Sequence, residues 1–175
     1  MTGRTDPLET RARDVLERCR AGGITLAIAE SCTGGLLAAT LTAIEGSSAV
    51  VDRGFVVYSN AAKAAMLGVP NDLIATHGAV SARCAAAMAR GALARSDASM
   101  AIALTGIAGP GGGTVTKPVG LVHLALASSG AGLRQEERVF EGNRFAIRRS
   151  AVLCALDMIA SSVGAPVVGD DTSGN

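Results

Sequence analysis

The sequence predicts an α/β fold: a three-layer α/β/α sandwich with a mixed β-sheet. In the first part of the chain, short apolar runs rich in β-branched residues alternate with segments of helical periodicity, a pattern typical of parallel strands joined by helices. Later, the strand-like runs 119–127 and 134–140 follow each other across a short turn, which indicates an antiparallel pair. Parallel and antiparallel strands together make a mixed sheet.

The helices are predicted from apolar residues at helical spacing and from the residues at their ends. Pro7 stands at the first turn of the first helix, and Gly22 follows its last turn. Ser81 is predicted to cap a longer helix, because its hydroxyl can accept a free N–H of the first turn. The predicted helices cover residues 8–20, 36–44, 60–67, 70–76, 81–94 and 143–162.

The strands are predicted where short apolar runs are bounded by glycine, proline or polar residues. The run at 24–29 is almost entirely apolar, as expected for a strand that is buried on both faces. A glycine-rich loop, 109–113, follows the third strand. The predicted strands cover residues 24–29, 54–58, 99–104, 119–127 and 134–140.

Chain length and composition indicate one domain. The 175 residues are predicted to form a single domain over 1–164, followed by a polar tail, 165–175, that is expected to be disordered. Apolar residues make up 49% of the chain but aromatic residues only 2%, so the core must be built from small aliphatic side chains.

Charge and hydropathy argue against several classes of partner. The formal net charge is +1 and the basic residues are spread along the chain, which argues against nucleic-acid binding. No unbroken apolar run is long enough for a membrane span and the N-terminus is polar, so neither a membrane nor a signal peptide is expected. The four cysteines lack metal-ligand spacing, so no metal is expected. These features predict a cytoplasmic protein with free thiols.

The first predicted strand leads into a segment, 30–35, that can carry a nucleophile. Ser31 lies between this strand and a predicted helix start, where backbone N–H groups lack helical partners. Such groups can hold an oxyanion or a phosphate, so the Ser31 hydroxyl can attack a carbonyl carbon beside them. Alternatively, Ser31 or Thr33 simply caps the helix. Cys32 is a rival nucleophile, or else a small buried residue.

A serine nucleophile needs a base, and the chain offers histidine or lysine. His77 follows a predicted helix and His123 lies within a predicted strand, where histidine is more often structural than catalytic. Lys63 follows the second strand, on the same side as Ser31 if the two strands are parallel neighbours. The ordinary lysine pKa of about 10.4 makes a poor base, but burial in an alanine-rich pocket lowers it. Alternatively, Lys63 is a solvated surface residue.

The third predicted strand leads through Thr105 into the glycine-rich loop 109–113. The backbone of this loop can present N–H groups to a phosphate or carboxylate, or the loop is a plain turn. Its glycine spacing matches neither a Walker A loop nor a dinucleotide fingerprint. Lys117 follows and can place a cation near a ligand. Arg144 and Arg148 open the last helix one turn apart, where they bind a phosphate or form a solvated basic turn.

Several segments together resemble a known family. They are AESCTGG (29–35), GFVVYSNAAK (54–63), HGAVS (77–81), TGIAGPGGG (105–113) and KPVGLV (117–122). In this order and spacing they resemble the CinA C-terminal domain family, whose stand-alone members are nicotinamide mononucleotide amidohydrolases. The resemblance runs over residues 8–159, which is nearly the whole chain.

The resemblance implies a Ser/Lys hydrolase. Ser31 matches the nucleophile, Lys63 the general base and Thr105 a residue that assists them, while Tyr58 matches a pocket residue near the pair. The implied reaction hydrolyses the carboxamide of nicotinamide mononucleotide through an acyl-enzyme, to nicotinate mononucleotide and ammonia, without a cofactor or metal. The implied oxyanion hole is the backbone of Cys32, Thr33 and Gly34.

The sequence also leaves alternative functions open, and it suggests an oligomeric state and a set of nucleotide-binding residues. A catalytically silent nucleotide-binding or regulatory module, related to competence/damage-inducible CinA proteins, is the alternative function. A metal-dependent phosphohydrolase is disfavoured, because Glu30 is the only carboxylate at the strand ends, and it can equally cap its strand. An alanine-rich helix surface suggests a homo-oligomer, with a dimer expected. The residues expected to bind the nucleotide are Glu30, Gly35, Gly109, Gly111, Gly112, Arg144 and Arg148.

Overall fold

The computed structural model describes residues 6–130 and 132–164, so the predicted tail, 165–175, lies outside the described residues. None of the described helices is long and apolar enough to cross a membrane. A short 3₁₀ helix, Ser47–Ala49, joins the second helix to the second strand. In chain order the other elements are α1 (Pro7–Ala21), β1 (Leu26–Glu30), α2 (Leu36–Thr42), β2 (Val51–Val56), α3 (Asn60–Leu67), α4 (Asn71–His77), α5 (Ala82–Ala94), β3 (Met100–Gly106), β4 (Leu121–Ser128), β5 (Gly132–Val139) and α6 (Arg144–Ser162).

The described strands form one sheet in the order β2-β1-β3-β4-β5. β1 is parallel to both of its neighbours, with Ile28 opposite Gly54 on β2 and Ile102 on β3. β4 is antiparallel to β3 and to β5. The predicted α/β class with a mixed sheet is therefore confirmed. Because β1, β2 and β3 are parallel, their carboxyl ends lie at one edge of the sheet.

Helices cover both faces of the sheet, and the two cores differ in side-chain size. Successive strand residues point to opposite faces, so Leu26 and Ile28 pack in the core with α1 and α6, while Ala27 and Ala29 face α5. The alanines let α5 lie close to the sheet. The same close packing joins α5 to α3, where a Cβ added at Gly91 would lie 2.0 Å from the carbonyl oxygen of Leu67.

The structure differs from the sequence-based predictions at two places. The second strand covers Val51–Val56 instead of 54–58, because pairing with β1 starts at Val51 and the chain turns at Ser59 to begin α3. The 3₁₀ helix at Ser47–Ala49 was not predicted from the sequence. The other predicted elements end within two residues of the observed ones, a difference that helix fraying and local geometry readily produce.

Candidate active site

A cavity of about 280 Å³ opens at the edge where β1, β2 and β3 end. This is the edge at which open α/β sheets bind their ligands. Its walls come from the segments after β1 and β3, from α3, from the glycine-rich loop and from the start of α6. Among the predicted site residues, those lining it are Ser31, Cys32, Tyr58, Lys63, Thr105, Gly109, Gly111, Gly112 and Arg144.

A serine and a lysine are in direct contact inside this cavity. Lys63 Nζ lies 3.0 Å from Ser31 Oγ and 3.0 Å from the carbonyl oxygen of Val57. Only 2% of the Lys63 surface and 7% of the Ser31 surface is exposed. None of the described residues that line the cavity is acidic. The Lys63 amine is therefore buried against neutral acceptors and has no carboxylate partner there.

This environment changes the proton affinity of Lys63. Burial lowers its pKa, because the ammonium loses hydration without gaining an anionic partner. The nearby thiols of Cys84 and Cys32 oppose this effect more weakly. A lower pKa increases the fraction of neutral amine near neutral pH. A neutral amine can accept the Ser31 hydroxyl proton across the 3.0 Å contact.

The local sequence of α3 explains why Lys63 points inward. Ser59 caps the helix by accepting the N–H of Ala62 at 3.0 Å, and Gly68 ends it in a left-handed conformation with φ of 66°. Lys63 and Leu67 are four residues apart, so they share a helix face, and both are buried. The apolar Leu67 thus orients the face that carries the lysine.

The segment after β1 has two backbone N–H groups beside Ser31 that donate to no backbone carbonyl of the described residues. The N–H of Ser31 donates to the Leu104 carbonyl at 3.0 Å, and the N–H of Gly34 donates back to the Ser31 carbonyl at 3.1 Å. Within the described residues, no carbonyl oxygen accepts the N–H of Cys32 or Thr33. These two groups can stabilise an oxyanion on a carbonyl attacked by Ser31. Gly34, expected to donate as well, uses its N–H to close the turn.

Thr105 lies at the end of β3 and has a partner that the sequence did not indicate. Its Oγ1 donates to the carbonyl oxygen of Ala79 at 2.7 Å. Ala79 and Val80 line the cavity from the turn between α4 and α5. A backbone acceptor has no side-chain signature; only Gly78, with φ of 81°, marks this turn in the sequence.

Arg144 connects three elements at the mouth of the cavity. Its guanidinium donates to the carbonyl oxygen of Gly109 and to the hydroxyl oxygen of Tyr58, both at 2.8 Å. Tyr58 is 60% exposed, so this contact lies at the solvent side. The start of α6 therefore places a cation over the opening between the glycine-rich loop and the end of β2.

A family model described as the CinA C-terminal domain matches residues 8–163. The chain belongs to the CinA C-terminal domain family. A CinA-like protein of Anaeromyxobacter sp. (strain Fw109-5) is 51% identical over 145 residues, which are 83% of this chain and 35% of that protein. A CinA-like protein of Geobacter sp. (strain M21) is 53% identical over 142 residues, 81% of this chain and 34% of that protein. The chain thus spans about a third of the length of these curated relatives.

Solved structures of the CinA superfamily have the same fold. The competence/damage inducible protein CihA from Agrobacterium tumefaciens has a TM-score of 0.87 and 49% identity, covering 92% of this chain and 98% of that one. A CinA superfamily protein from Escherichia coli has a TM-score of 0.84 and 34% identity, covering 91% and 92%.

Three residues expected to contact substrate have other partners in this CinA C-terminal domain. Both carboxylate oxygens of Glu30 accept backbone N–H groups of α2, from Leu37 at 3.0 Å and Ala38 at 2.9 Å, and Glu30 is only 1% exposed. Arg148 donates to the Thr33 carbonyl at 2.6 Å. Glu30 and Arg148 therefore brace the Ser31 segment, because unpaired helix N–H groups and a buried carbonyl need partners.

Gly35, the third, serves the backbone as the residue before α2. Its φ of 92° is a left-handed conformation that favours glycine. It does not line the cavity within the described residues, whereas Gly109, Gly111 and Gly112 do.

The structure favours neither the rival nucleophile nor the histidine bases. Burial raises the pKa of the Cys32 thiol to about 11, so the thiolate is scarce at neutral pH. His77 and His123 lie outside the lining of the Ser31 cavity. His123 is 6% exposed on β4, and burial lowers its pKa. The described residues contain no group of three or more potential metal ligands.

A larger cavity, of about 710 Å³, lies between α1, β5 and α6, away from the Ser31 segment. Its arginines are engaged by acidic neighbours: Arg11 contacts Asp157 at 2.6 Å, and Arg134 contacts Glu136 at 2.6 Å. It is therefore a groove of paired charges, whereas the smaller cavity brings together most of the predicted site residues.

Proposed function

We propose that this chain hydrolyses the carboxamide of nicotinamide mononucleotide to nicotinate mononucleotide and ammonia by a Ser/Lys mechanism. The main support for the proposal is the 3.0 Å contact between Ser31 Oγ and Lys63 Nζ. Lys63 is buried in a cavity whose described lining residues include no acidic side chain. A hydroxyl beside a neutral amine is an activated nucleophile. Membership of the CinA C-terminal domain family supports the same reaction, and the proposed role of this reaction is in pyridine nucleotide recycling.

Acylation begins when Lys63 takes the hydroxyl proton of Ser31 and Oγ attacks the carboxamide carbon. The carbonyl oxygen becomes an oxyanion that accepts the N–H groups of Cys32 and Thr33. As the carbon–nitrogen bond breaks, the Lys63 ammonium returns its proton to the leaving nitrogen. Ammonia departs and the nicotinate group remains as an ester on Ser31.

Deacylation repeats these steps with water. Lys63 takes a proton from water, whose oxygen attacks the ester carbon, and the same backbone N–H groups hold the second oxyanion. When the ester bond breaks, Lys63 returns the proton to Ser31 Oγ. The cycle needs one amine that is neutral at the start of each half-reaction.

The cavity suits the proposed substrate in size and charge. Its volume of about 280 Å³ lies near the lower limit of small-molecule pockets, so it accommodates the pyridine ring and leaves the rest of the nucleotide at the mouth. Arg144 stands at this mouth, and no acidic residue lines the described cavity. We assign the phosphate to Arg144 and to the backbone of the loop 109–113.

The test is ammonia release from nicotinamide mononucleotide in the presence of a chelator. Wild type should release ammonia, while Ser31→Ala and Lys63→Met should lose activity by on the order of 10⁴-fold or more. Arg83→Met, which removes an exposed cation outside the cavity, is the matched control and should keep full activity. Quenched wild-type reactions should carry the nicotinyl nucleotide on the peptide that contains Ser31.

Two outcomes would contradict the proposal. Wild type that binds the nucleotide without releasing ammonia would be the silent binding or regulatory module. Release that survives in Ser31→Ala would move the nucleophile elsewhere.

A further inference from the structure

Lys117 holds the turn that supports Thr105. Its Nζ donates to the carbonyl oxygen of His77 at 3.0 Å and to that of Val80 at 2.7 Å. Ala79 lies between these two residues, and its carbonyl oxygen accepts the Thr105 hydroxyl at 2.7 Å. One ammonium thus fixes the turn on both sides of the carbonyl that orients Thr105.

Hydrogen bonds hold one end of this contact, and close packing holds the other. The turn from which Lys117 projects is closed by two hydrogen bonds with Thr114: the Thr114 N–H donates to the Lys117 carbonyl at 2.8 Å, and the Lys117 N–H donates to Thr114 Oγ1 at 3.0 Å. On the other side, a Cβ added at Gly78 would lie 2.9 Å from Lys117 Nζ. The ammonium fits closely against a glycine backbone with a φ of 81°.

The hydrogen bond to Ala79 decides what Thr105 offers to the cavity. A threonine hydroxyl has one hydrogen and two lone pairs, and here the hydrogen is used by the Ala79 carbonyl. Thr105 lines the cavity, and the only hydrogen-bonding role left for its hydroxyl towards a ligand is that of an acceptor. An amide –NH₂ can donate to this acceptor, whereas the oxygens of a carboxylate product cannot.

We propose that Lys117 is a positioning residue that, through the Ala79 carbonyl, keeps Thr105 Oγ1 as an acceptor for the carboxamide nitrogen of the substrate. This inference rests on the proposed amidohydrolase function. It gives the cavity a way to bind the amide with its carbonyl towards the N–H groups of Cys32 and Thr33. It also makes the acid product a poor ligand, because two acceptors then face each other.

The first test compares two substrates that differ at the leaving group: nicotinamide mononucleotide and the methyl ester of nicotinate mononucleotide. The ester has no N–H to donate to Thr105. Lys117→Met and Thr105→Val should each lower kcat/KM for the amide about tenfold and leave the ester nearly unchanged. A purely structural role would lower kcat/KM equally for both substrates, and that result would overturn the proposal.

A double-mutant cycle tests whether Lys117 acts through Thr105. The variant with both substitutions should lose no more amide activity than Thr105→Val alone, because the second change removes an interaction that is already lost. Additive losses would refute the coupling. Product inhibition is an independent measure: nicotinate mononucleotide should inhibit both single variants more strongly than wild type. Arg83→Met is the control, since it removes a nearby exposed cation that has no part in these contacts.

A crystal structure of the Lys117→Met variant separates this inference from the proposed function. The Ala79 carbonyl should turn away from Thr105, whatever the natural substrate is. A retained 2.7 Å contact would refute the positioning role even in an active enzyme. Wild type without amidase activity would refute the proposed function and, with it, the carboxamide as the ligand of Thr105, but not the positioning of Thr105 by Lys117. If Lys117→Met fails to fold, Lys117→Gln takes its place in every test, because the glutamine side chain can donate to one of the two carbonyls. The decrease in kcat/KM for the amide substrate should then be smaller, and kcat/KM for the ester should still be unchanged.

Discussion

Replacing Glu30 by glutamine should destabilise the protein and disturb the Ser31 segment. The Glu30 carboxylate accepts two N–H groups of α2, from Leu37 and Ala38, at a site that is 1% exposed. Hydrogen bonds to a buried charged group stabilise by about 1.5–3 kcal/mol each. Glutamine keeps one acceptor but turns an NH₂ group towards the second N–H, so one hydrogen bond is lost and two donors oppose each other.

We expect the free energy of unfolding to fall by about 3 kcal/mol, which lowers Tm by roughly 6–12 °C for a domain of this size. Urea unfolding of Glu30→Gln measures this loss. Glu45→Gln, at an exposed residue after α2, is the control and should change stability by less than about 0.5 kcal/mol. If Glu30→Gln stays within that same limit, the capping role assigned to Glu30 is wrong.

Four further predictions concern the site. The value of kcat/KM should rise with pH through the lowered pKa of Lys63, because the neutral amine is the base, and a profile without this rise would contradict the mechanism. Between that pKa and the ordinary lysine value, the unfolded chain binds more protons than the folded protein, so stability rises with pH. Lys63→Met should therefore be more stable than wild type at neutral pH and lose this dependence, as urea unfolding at two pH values would measure. Arg144→Ala should raise KM for the nucleotide about tenfold more than KM for its phosphate-free riboside, and equal effects would remove Arg144 from the phosphate site. Arg148→Met should lower kcat at nearly constant KM, since it loses the 2.6 Å contact that braces Thr33; a change confined to KM would instead indicate a substrate contact.

Much of the fold could be predicted because its signals are local. Apolar periodicity, Pro7 and the cap residue Ser81 each act within a few residues, and the observed helices begin and end close to the predicted ones. The second strand was misplaced because its ends depend on pairing with β1 and on the turn at Ser59, which are tertiary features.

Some of the predicted site residues line the cavity, whereas others form hydrogen bonds with backbone groups. Ser31, Lys63, Thr105 and Arg144 line one cavity, as the convergence of parallel strand ends suggests. Glu30 and Arg148 are taken up by backbone groups instead. The sequence shows which side chains can bind a ligand. It does not show which buried backbone N–H and carbonyl groups lack a backbone partner and therefore form hydrogen bonds with those side chains.

The fold class, the family resemblance and the strand ends at which chemistry is expected could all be predicted from the sequence. They depend on hydrophobic periodicity and on the order of motifs, which are properties of the amino-acid sequence alone. Only the tertiary structure showed whether Lys63 is exposed or buried. Whether that lysine is a solvated surface residue or a buried amine 3.0 Å from Ser31 depends on packing between segments 32 residues apart. Burial in a cavity whose described lining includes no acidic side chain is a property of the folded structure. This burial lowers the pKa of Lys63, as the proposed role of Lys63 as a base requires.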